Sequence, residues 1–248
     1  MTHLAVTKET VWRATGSYSP KLASKASLVE EAKLFLTTYA QLGDLSATSK
    51  ALIDTVLPQR SRETRTTIVG VLRTRLVLWN PPSWVLDDLV SFAHDANPDT
   101  LRLALLLHTA RQEKVLYDFV QQVIVPRWYS SIYQVMRSDV QGFLDSAQEE
   151  HPEVLHWSYT TRERLSSSVL TVLRDSRLLK GEVNKHIVTP HIPLQVAHHL
   201  VRLLLAEGIV EKDIAHHPDW RLWLWDEAQA QNAVNTVTTQ EHDAWRMV

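Results

Sequence analysis

Apolar residues recur at the spacing of an α-helix in one segment of the chain after another, and this periodicity constrains the fold more than any other feature. After Ser27, steps of three and four residues place these apolar side chains on one face: Leu28, Ala32, Phe35, Leu36 and Tyr39. The run Leu101–Leu107 is apolar nearly all round, as expected of a buried central helix. Glycine is scarce, with 6 residues, and β-branched residues rarely alternate with polar ones. We therefore predict an all-α or mainly α protein.

Composition excludes several classes of protein. The 248 residues are 44% apolar, which is enough for the core of one large domain or two small ones. A net charge of -2 argues against coating nucleic acid through bulk charge, although it allows a local basic face. The absence of cysteine excludes disulfides, thiolate catalysis and cysteine-based zinc fingers. Since no signal-peptide pattern and no bilayer-length apolar run occur, we expect a soluble cytoplasmic protein without a membrane partner.

A candidate helix-turn-helix lies between Asp44 and Trp79. A short helical pattern over Ser46–Val56 breaks at Leu57-Pro58, and a second helix opens at Ser61. Cations and small hydroxyls crowd this opening: Arg60, Ser61, Arg62, Thr64 and Arg65. This pattern is typical of a DNA-binding motif, because the free N–H groups and the positive dipole end of a helix start attract phosphate. Surface arginines on a solvated helix face are the alternative interpretation.

A second basic group opens the other half of the chain. Thr160 and Glu163 have the spacing of a capping box, so we predict a helix start there with Arg162 and Arg164 in its first turns. The helix is followed by the letters LLKG and by a proline-bounded extended segment, Lys185–Pro193. That order of elements is typical of a winged helix.

Lys21 and Lys25, ahead of the first helix, form a third and weaker basic group. Three separate basic groups in a net-acidic chain favour a shared electrostatic face for a polyanion. Pairing of these cations with nearby carboxylates, at little net energy, is the alternative.

No pattern in the sequence indicates catalysis or a bound cofactor. The motifs GxSxG and HExxH, glycine-rich phosphate loops and the Walker lysine are all absent. The 12 histidines are spread over different predicted elements, so converging zinc ligands are not expected. We therefore expect neither an enzyme nor a metal or other cofactor.

Longer segments of the chain resemble the BrxA proteins of BREX bacteriophage-exclusion systems. The resemblance rests on LVEEAKLFLTTYAQLGDLSATSKALIDTVLPQRSRETRTTIVGVLRTRL and TLRLALLLHTARQEKVLYDFVQQVIVPRW, followed by DVQGFLDSAQEEHPEVLHWSYTTRERLSSSVLTVLRDSRLLKG and VTPHIPLQVAHHLV. It covers roughly residues 17–205, with the segments in the same order. The combination of the R-S-x-x-T helix start, the F…V…R helix and the W-S-x-x-T…L opening carries much of its specificity.

The resemblance implies a small, mainly helical protein with helix-turn-helix or winged-helix parts, a minimal β wing and a likeness to the antiterminator NusB. It further implies non-catalytic binding of double-stranded DNA in phage defence, with other BREX components as further partners. DNA contact is carried over to the matching helix starts: Arg60, Arg62, Arg65, Arg162 and Arg164. A protein-interaction scaffold within a defence complex and a NusB-like RNA-binding protein are the alternatives, and the oligomeric state is left open.

These patterns divide the chain into four parts. Residues 1–26 form an N-terminal arm, residues 27–138 a helical domain with the helix-turn-helix, and residues 139–210 a winged-helix-like C-terminal domain. Residues 211–248 form an acidic, tryptophan-rich and partly ordered tail. Within the helical domain, Pro126 is expected to end the helix that begins near Glu113.

Overall fold

α-Helices make up most of the part of the chain that the computed structural model describes, which is residues 10–246, with side chains through residue 237. They are α1 (Val29–Leu42), α2 (Leu45–Ala51), α3 (Arg62–Leu76), α4 (Ser83–His94), α5 (Pro98–Gln112), α6 (Lys114–Phe119), α7 (Val125–Tyr129), α8 (Arg137–Ser146), α9 (Tyr159–Asp175), α10 (Leu194–Glu207), α11 (Glu211–Ile214) and α12 (Glu227–Arg246). Shorter turns join them: 3-10 helices at Pro20–Ala23, Pro152–His156 and Pro218–Trp223, and π-helical turns at Leu52–Val56 and Val120–Ile124.

The β-structure is one small antiparallel sheet. Its strands are β1 (Gln134–Val135), β2 (Leu179–Lys180) and β3 (Lys185–Ile187), and they lie in the order β1-β3-β2. Strands β2 and β3 form a hairpin, while β1 arrives from the segment between α7 and α8 and pairs with the other edge of β3. The predicted mainly α fold with a minimal β wing is therefore confirmed.

One hydrophobic core extends through the described side chains. Helix α5 lies at its centre, since nearly every residue from Leu101 to Arg111 is buried. The core takes residues from both sides of the predicted boundary at 138/139, and the division into domains stays a prediction. Trp220 and Trp223, which the sequence places in the tail, are among the largest fully buried side chains of the described part.

A glycine and an aspartate set the junction between α1 and α2. Gly43 ends α1 in the left-handed conformation, with φ 65°, where a residue without Cβ is least strained. Asp44 then begins α2, because its carboxylate accepts a hydrogen bond of 2.6 Å from the Ala47 N–H. Gly43 and Asp44 thus end α1 and begin α2 and make up the whole link between the two helices, with Asp44 in extended conformation.

The expectation that Pro126 ends a helix is wrong. The chain remains helical past it, from α6 through the π-helical turn Val120–Ile124 into the first turn of α7. In this turn the Val125 N–H reaches back five residues to the Val120 carbonyl. The wider turn accommodates a residue that has no N–H and a bulky ring, so the proline does not break the path of the chain.

A buried cluster of charged side chains joins the N-terminal segment to the C-terminal one. Asp219 is fully buried and accepts hydrogen bonds from Arg13 at 2.7 and 3.0 Å and from Arg111 at 2.8 Å. Glu207 bonds to the same two guanidinium groups at 2.8 and 3.0 Å. Two cations thus meet two carboxylates, which is the condition for burying charge without a large penalty.

Candidate nucleic-acid interface

The helix-turn-helix prediction begins with the start of α3, and the structure confirms that start. Ser61 is the N-cap residue, in extended conformation, and its hydroxyl accepts from the Thr64 N–H at 3.4 Å. Helix α2 and the π-helical turn after it occupy the span predicted for the first helix. The helix start is exposed, so its dipole end faces solvent.

The arginines at this start differ in how far they are engaged. Arg60 is exposed and forms no ion pair with any residue among those described. Arg62 is 70% exposed, although its guanidinium lies 2.7 Å from Asp54. Arg65 is half-buried and donates to the Gln59 carbonyl at 2.8 Å, so it supports the turn. We call Arg60, Ser61, Arg62, Thr64 and Arg65 the α3 basic turn.

The second predicted helix start exists, but a different residue caps it. The capping box at Thr160 and Glu163 is wrong, because α9 already begins at Tyr159. Ser158 is the N-cap and accepts from the Thr161 N–H at 3.1 Å. The hydroxyl two residues earlier in the chain is the one that lies in extended backbone, as an N-cap requires.

The two arginines of α9 have opposite environments. Arg162 forms an ion pair with Asp145 of α8, and its Nε is buried without a hydrogen-bond partner among the described residues. Its main contacts therefore hold α9 against α8. Arg164 is exposed and pairs with no carboxylate in the described part of the chain. It shares a helix face with Thr160 and Ser167, and this face carries hydrogen-bonding groups outward.

Sequence reasoning missed Arg137 at the start of α8. Its side chain is 63% exposed and lies 3.6 Å from Glu163 of α9. The pairing of Val135 with Lys185 brings this helix start beside the β2–β3 hairpin. The proximity of Arg137 to the hairpin follows from the pairing of β1 with β3. No pattern in the sequence predicts that pairing. We call the cations of these neighbouring elements the α9 rim: Arg137, Arg164 and Lys180, which are exposed, and Lys185, which is half-buried.

The third basic group divides between two roles. Lys21 is exposed on the 3-10 helix Pro20–Ala23, which packs against α9. Lys25 is half-buried, and its carbonyl accepts from Arg75 at 2.9 Å. The structure thus places Lys21 near α9, whereas the Lys25 backbone anchors the far end of α3.

The α3 basic turn and the start of α9 each lie away from the cavity that α3 and α9 share. Helices α3 and α9 meet around one small cavity, lined by Leu72 and Arg75 from α3 and by Val172 and Ser176 from α9. At 1.5 Å per residue, the start of α3 lies about 15 Å from Leu72, and the start of α9 about 20 Å from Val172. Both helices line this cavity near their C-terminal ends, so each helix start lies away from it.

A cleft of about 810 Å³ between the α1 start and the hairpin is lined by charges of both signs. Asp99 bonds to Arg102 and Arg177 at 3.0 Å each, and Arg174 pairs with Asp175 at 2.9 Å. These three arginines are paired within the chain, and the remaining cation of the lining, Lys180, stands beside Glu30, Glu31 and Glu182, so the cleft offers no excess positive charge. Among the described residues, no group of three histidine, aspartate or glutamate side chains could hold a metal ion. Within residues 10–246, no helix combines the length and apolar character needed to cross a membrane.

Comparison with known proteins places the chain in a family. The sequence profile of the BrxA family matches residues 16–203. A crystal structure of an uncharacterized protein from Magnetospirillum magneticum superposes with a TM-score of 0.61 at 15% identity, covering 78% of this chain and 96% of that one. This second likeness concerns the fold alone. No curated protein matches the chain. The chain therefore belongs to the BrxA family, and that membership supports a role in BREX phage defence.

Proposed function

We propose that this protein is a non-catalytic accessory subunit of a BREX-type phage defence system that binds double-stranded DNA. The α9 rim is the principal contact surface and the α3 basic turn a second one. The observation that carries the proposal is the set of cations of the α9 rim, which come from three parts of the fold: Arg137 from α8, Arg164 from α9, and Lys180 and Lys185 from the β2–β3 hairpin. Such a collection suits a polyanion, because each cation that neutralises a phosphate releases a counterion.

The order of elements around α9 supports the same interpretation. Strand β1 precedes α8, the hairpin β2–β3 follows α9, and the sheet order is β1-β3-β2. This order supports a winged helix, whose recognition helix would be α9 and would enter the major groove. The outer face of α9, with Thr160, Arg164 and Ser167, offers groups that can bond to base edges or phosphates.

A protein-interaction scaffold is the second candidate, and one surface favours it. Large apolar side chains are exposed at the last residue of α7, Tyr129, and just before β1, at Ile132 and Tyr133. Exposed apolar patches mark protein contacts more often than DNA contacts. The third candidate function, NusB-like RNA binding, rests on the family resemblance.

A competition experiment separates the three. Labelled duplex DNA is retarded by the protein at moderate salt and then challenged with unlabelled duplex or with structured RNA of equal length. We expect duplex to compete and RNA to compete at least tenfold less well. Equal or better competition by RNA would establish the RNA-binding alternative. No retardation at all, together with stable co-purification of another operon component, would establish the scaffold.

A further inference from the structure

The tip of the β2–β3 hairpin carries an apolar side chain that nothing in the described part of the chain covers. Val183 is 90% exposed, the highest value among the large hydrophobic residues of that part. Folding gains nothing from its apolar surface, since burial is what stabilises such groups. Its position at the end of a projecting hairpin suggests a binding partner.

The hairpin tip is held in one tight conformation. The last strand pair joins Lys180 to His186, so a short turn connects the strands. Gly181 has φ +101°, and a Cβ added there would lie 2.1 Å from the Asn184 carbonyl oxygen. The Lys185 ammonium also donates to the Glu182 carbonyl at 2.5 Å across the turn. The tip is therefore presented ready-formed, which lowers the entropic cost of binding.

Charge around the tip favours a polyanion as the partner. Lys180 and Lys185 flank the turn, and Glu182 is the single carboxylate within it. One residue beyond the Val135–Lys185 pair begins α8, where Met136 is exposed and Arg137 extends towards α9. The apolar tip thus continues directly into the α9 rim.

We infer that Val183 is a wedge that enters the minor groove of duplex DNA when the α9 rim contacts the phosphates. Val183 lies three residues beyond Lys180 of the last strand pair, so at roughly 3.3 Å per residue its backbone can reach up to about 10 Å past that pair. The minor groove is about 7.5 Å deep, which is within this reach. Apolar side chains used in this way partly unstack a base step and widen the groove. The inference rests on the proposed function and adds to it the groove and the residue that enters it.

The test compares V183S with the control variant V210S. V210S makes the same change at another exposed valine, just before α11. Both variants should melt like the wild type, because neither valine is buried. Duplex affinity is measured over a series of salt concentrations. A duplex containing 2-aminopurine reports unstacking by its fluorescence.

We expect V183S to lose roughly tenfold in affinity, the effect of burying most of a valine side chain. Its salt dependence should equal that of the wild type, because no phosphate contact is lost. The fluorescence rise seen with wild type and V210S should disappear.

Unchanged affinity and fluorescence in V183S would overturn the inference while leaving DNA binding intact. Unchanged DNA binding with loss of a co-purifying protein would overturn it in favour of a protein contact. Failure of the wild type to bind duplex would instead refute the proposed function itself.

Discussion

Asp54 limits how much positive charge the α3 basic turn presents. It lies in the π-helical turn before that site and holds the Arg62 guanidinium at 2.7 Å. Because Arg62 is largely exposed, this ion pair contributes little to folding. The ion pair instead reduces the positive charge that Arg62 presents to a binding partner.

Replacing this carboxylate should therefore strengthen DNA binding. In D54N, one negative charge is removed and Arg62 is freed, so we expect duplex affinity to rise roughly threefold at low salt. The control is D87N, which removes an exposed carboxylate from α4. Fluorescence anisotropy measures the duplex affinities of the wild type, D54N and D87N. An equal gain in both variants would show a net-charge effect with no role for Arg62.

Asp219 holds the buried charge cluster together. Burial alone would raise the pKa of Asp219, but the charge of Arg111 and the hydrogen bond from Arg13 hold it well below the usual value. In D219N the two guanidinium groups would share only Glu207, so we expect a loss of about 3–5 kcal/mol in the free energy of unfolding. In D145N, whose carboxylate is 58% exposed beside Arg162, the loss should stay below about 1 kcal/mol. Urea unfolding of both variants checks this contrast, and similar losses would contradict it.

Two buried histidines make stability depend on pH. The Nε2 atoms of His108 and His199 lie 2.9 Å apart, and His199 Nδ1 lies 2.8 Å from Asp88. Burial, reinforced by the neighbouring imidazole and by Arg111, lowers the pKa of His108 well below 6.5. Burial also lowers the pKa of His199, against the opposing hydrogen bond to Asp88.

The sign of the effect follows from those shifts. Both imidazoles stay neutral in the fold, whereas an unfolded histidine takes up a proton below about pH 6.5. The free energy of unfolding should therefore fall as pH drops from 7 towards 5, by up to about 1.4 kcal/mol per pH unit for each histidine. The variant H108Q should have a shallower slope over this range. A wild-type slope that H108Q leaves unchanged would assign the dependence to other groups.

At the scale of elements, the hairpin turn depends on one glycine. In G181A the new Cβ would meet the Asn184 carbonyl in a backbone region that favours glycine, so we expect a loss of about 1–3 kcal/mol in stability. The matched change G142A lies inside α8 with no atom within 4 Å of the added Cβ, and it should gain about 0.5–1 kcal/mol. Thermal unfolding compares the two. Equal changes in stability in G181A and G142A would mean that the hairpin turn accommodates the added Cβ without strain.

The helices of this fold were largely predictable, because their signals are local. Apolar periodicity located α1, α3 and α5, and Gly43 and Gly208 end α1 and α10 in the left-handed conformation. The errors also have local causes. Thr160 and Glu163 had the right spacing for a cap, but Ser158 lies in the extended backbone that a cap needs. Pro126 stays inside a helix because a π-helical turn precedes it. That turn cannot be predicted from the side chains alone.

At the scale of the whole molecule, prediction from sequence failed where distant segments meet. The role of Trp220 and Trp223 in the core depends on the packing of the 3-10 helix Pro218–Trp223 against α5. The cluster of Arg13, Arg111 and Asp219 joins residues 206 positions apart, which periodicity cannot reveal. The same holds for the α9 rim, where the strand register brings Arg137 beside Lys185 and the pair with Glu163 brings it beside α9.

The salt dependence of duplex affinity tests the central claim most directly. Four proteins are compared: wild type, R137A/R164A from the α9 rim, R60A/R62A from the α3 basic turn, and K212A/R221A, which removes two exposed cations of the C-terminal segment. Each lost phosphate contact should reduce the slope of log affinity against log salt by about 0.9. We predict that R137A/R164A flattens the slope by nearly 2, that R60A/R62A flattens it by less, and that K212A/R221A leaves it unchanged. Slopes equal to the wild type in both rim and turn variants would contradict the account.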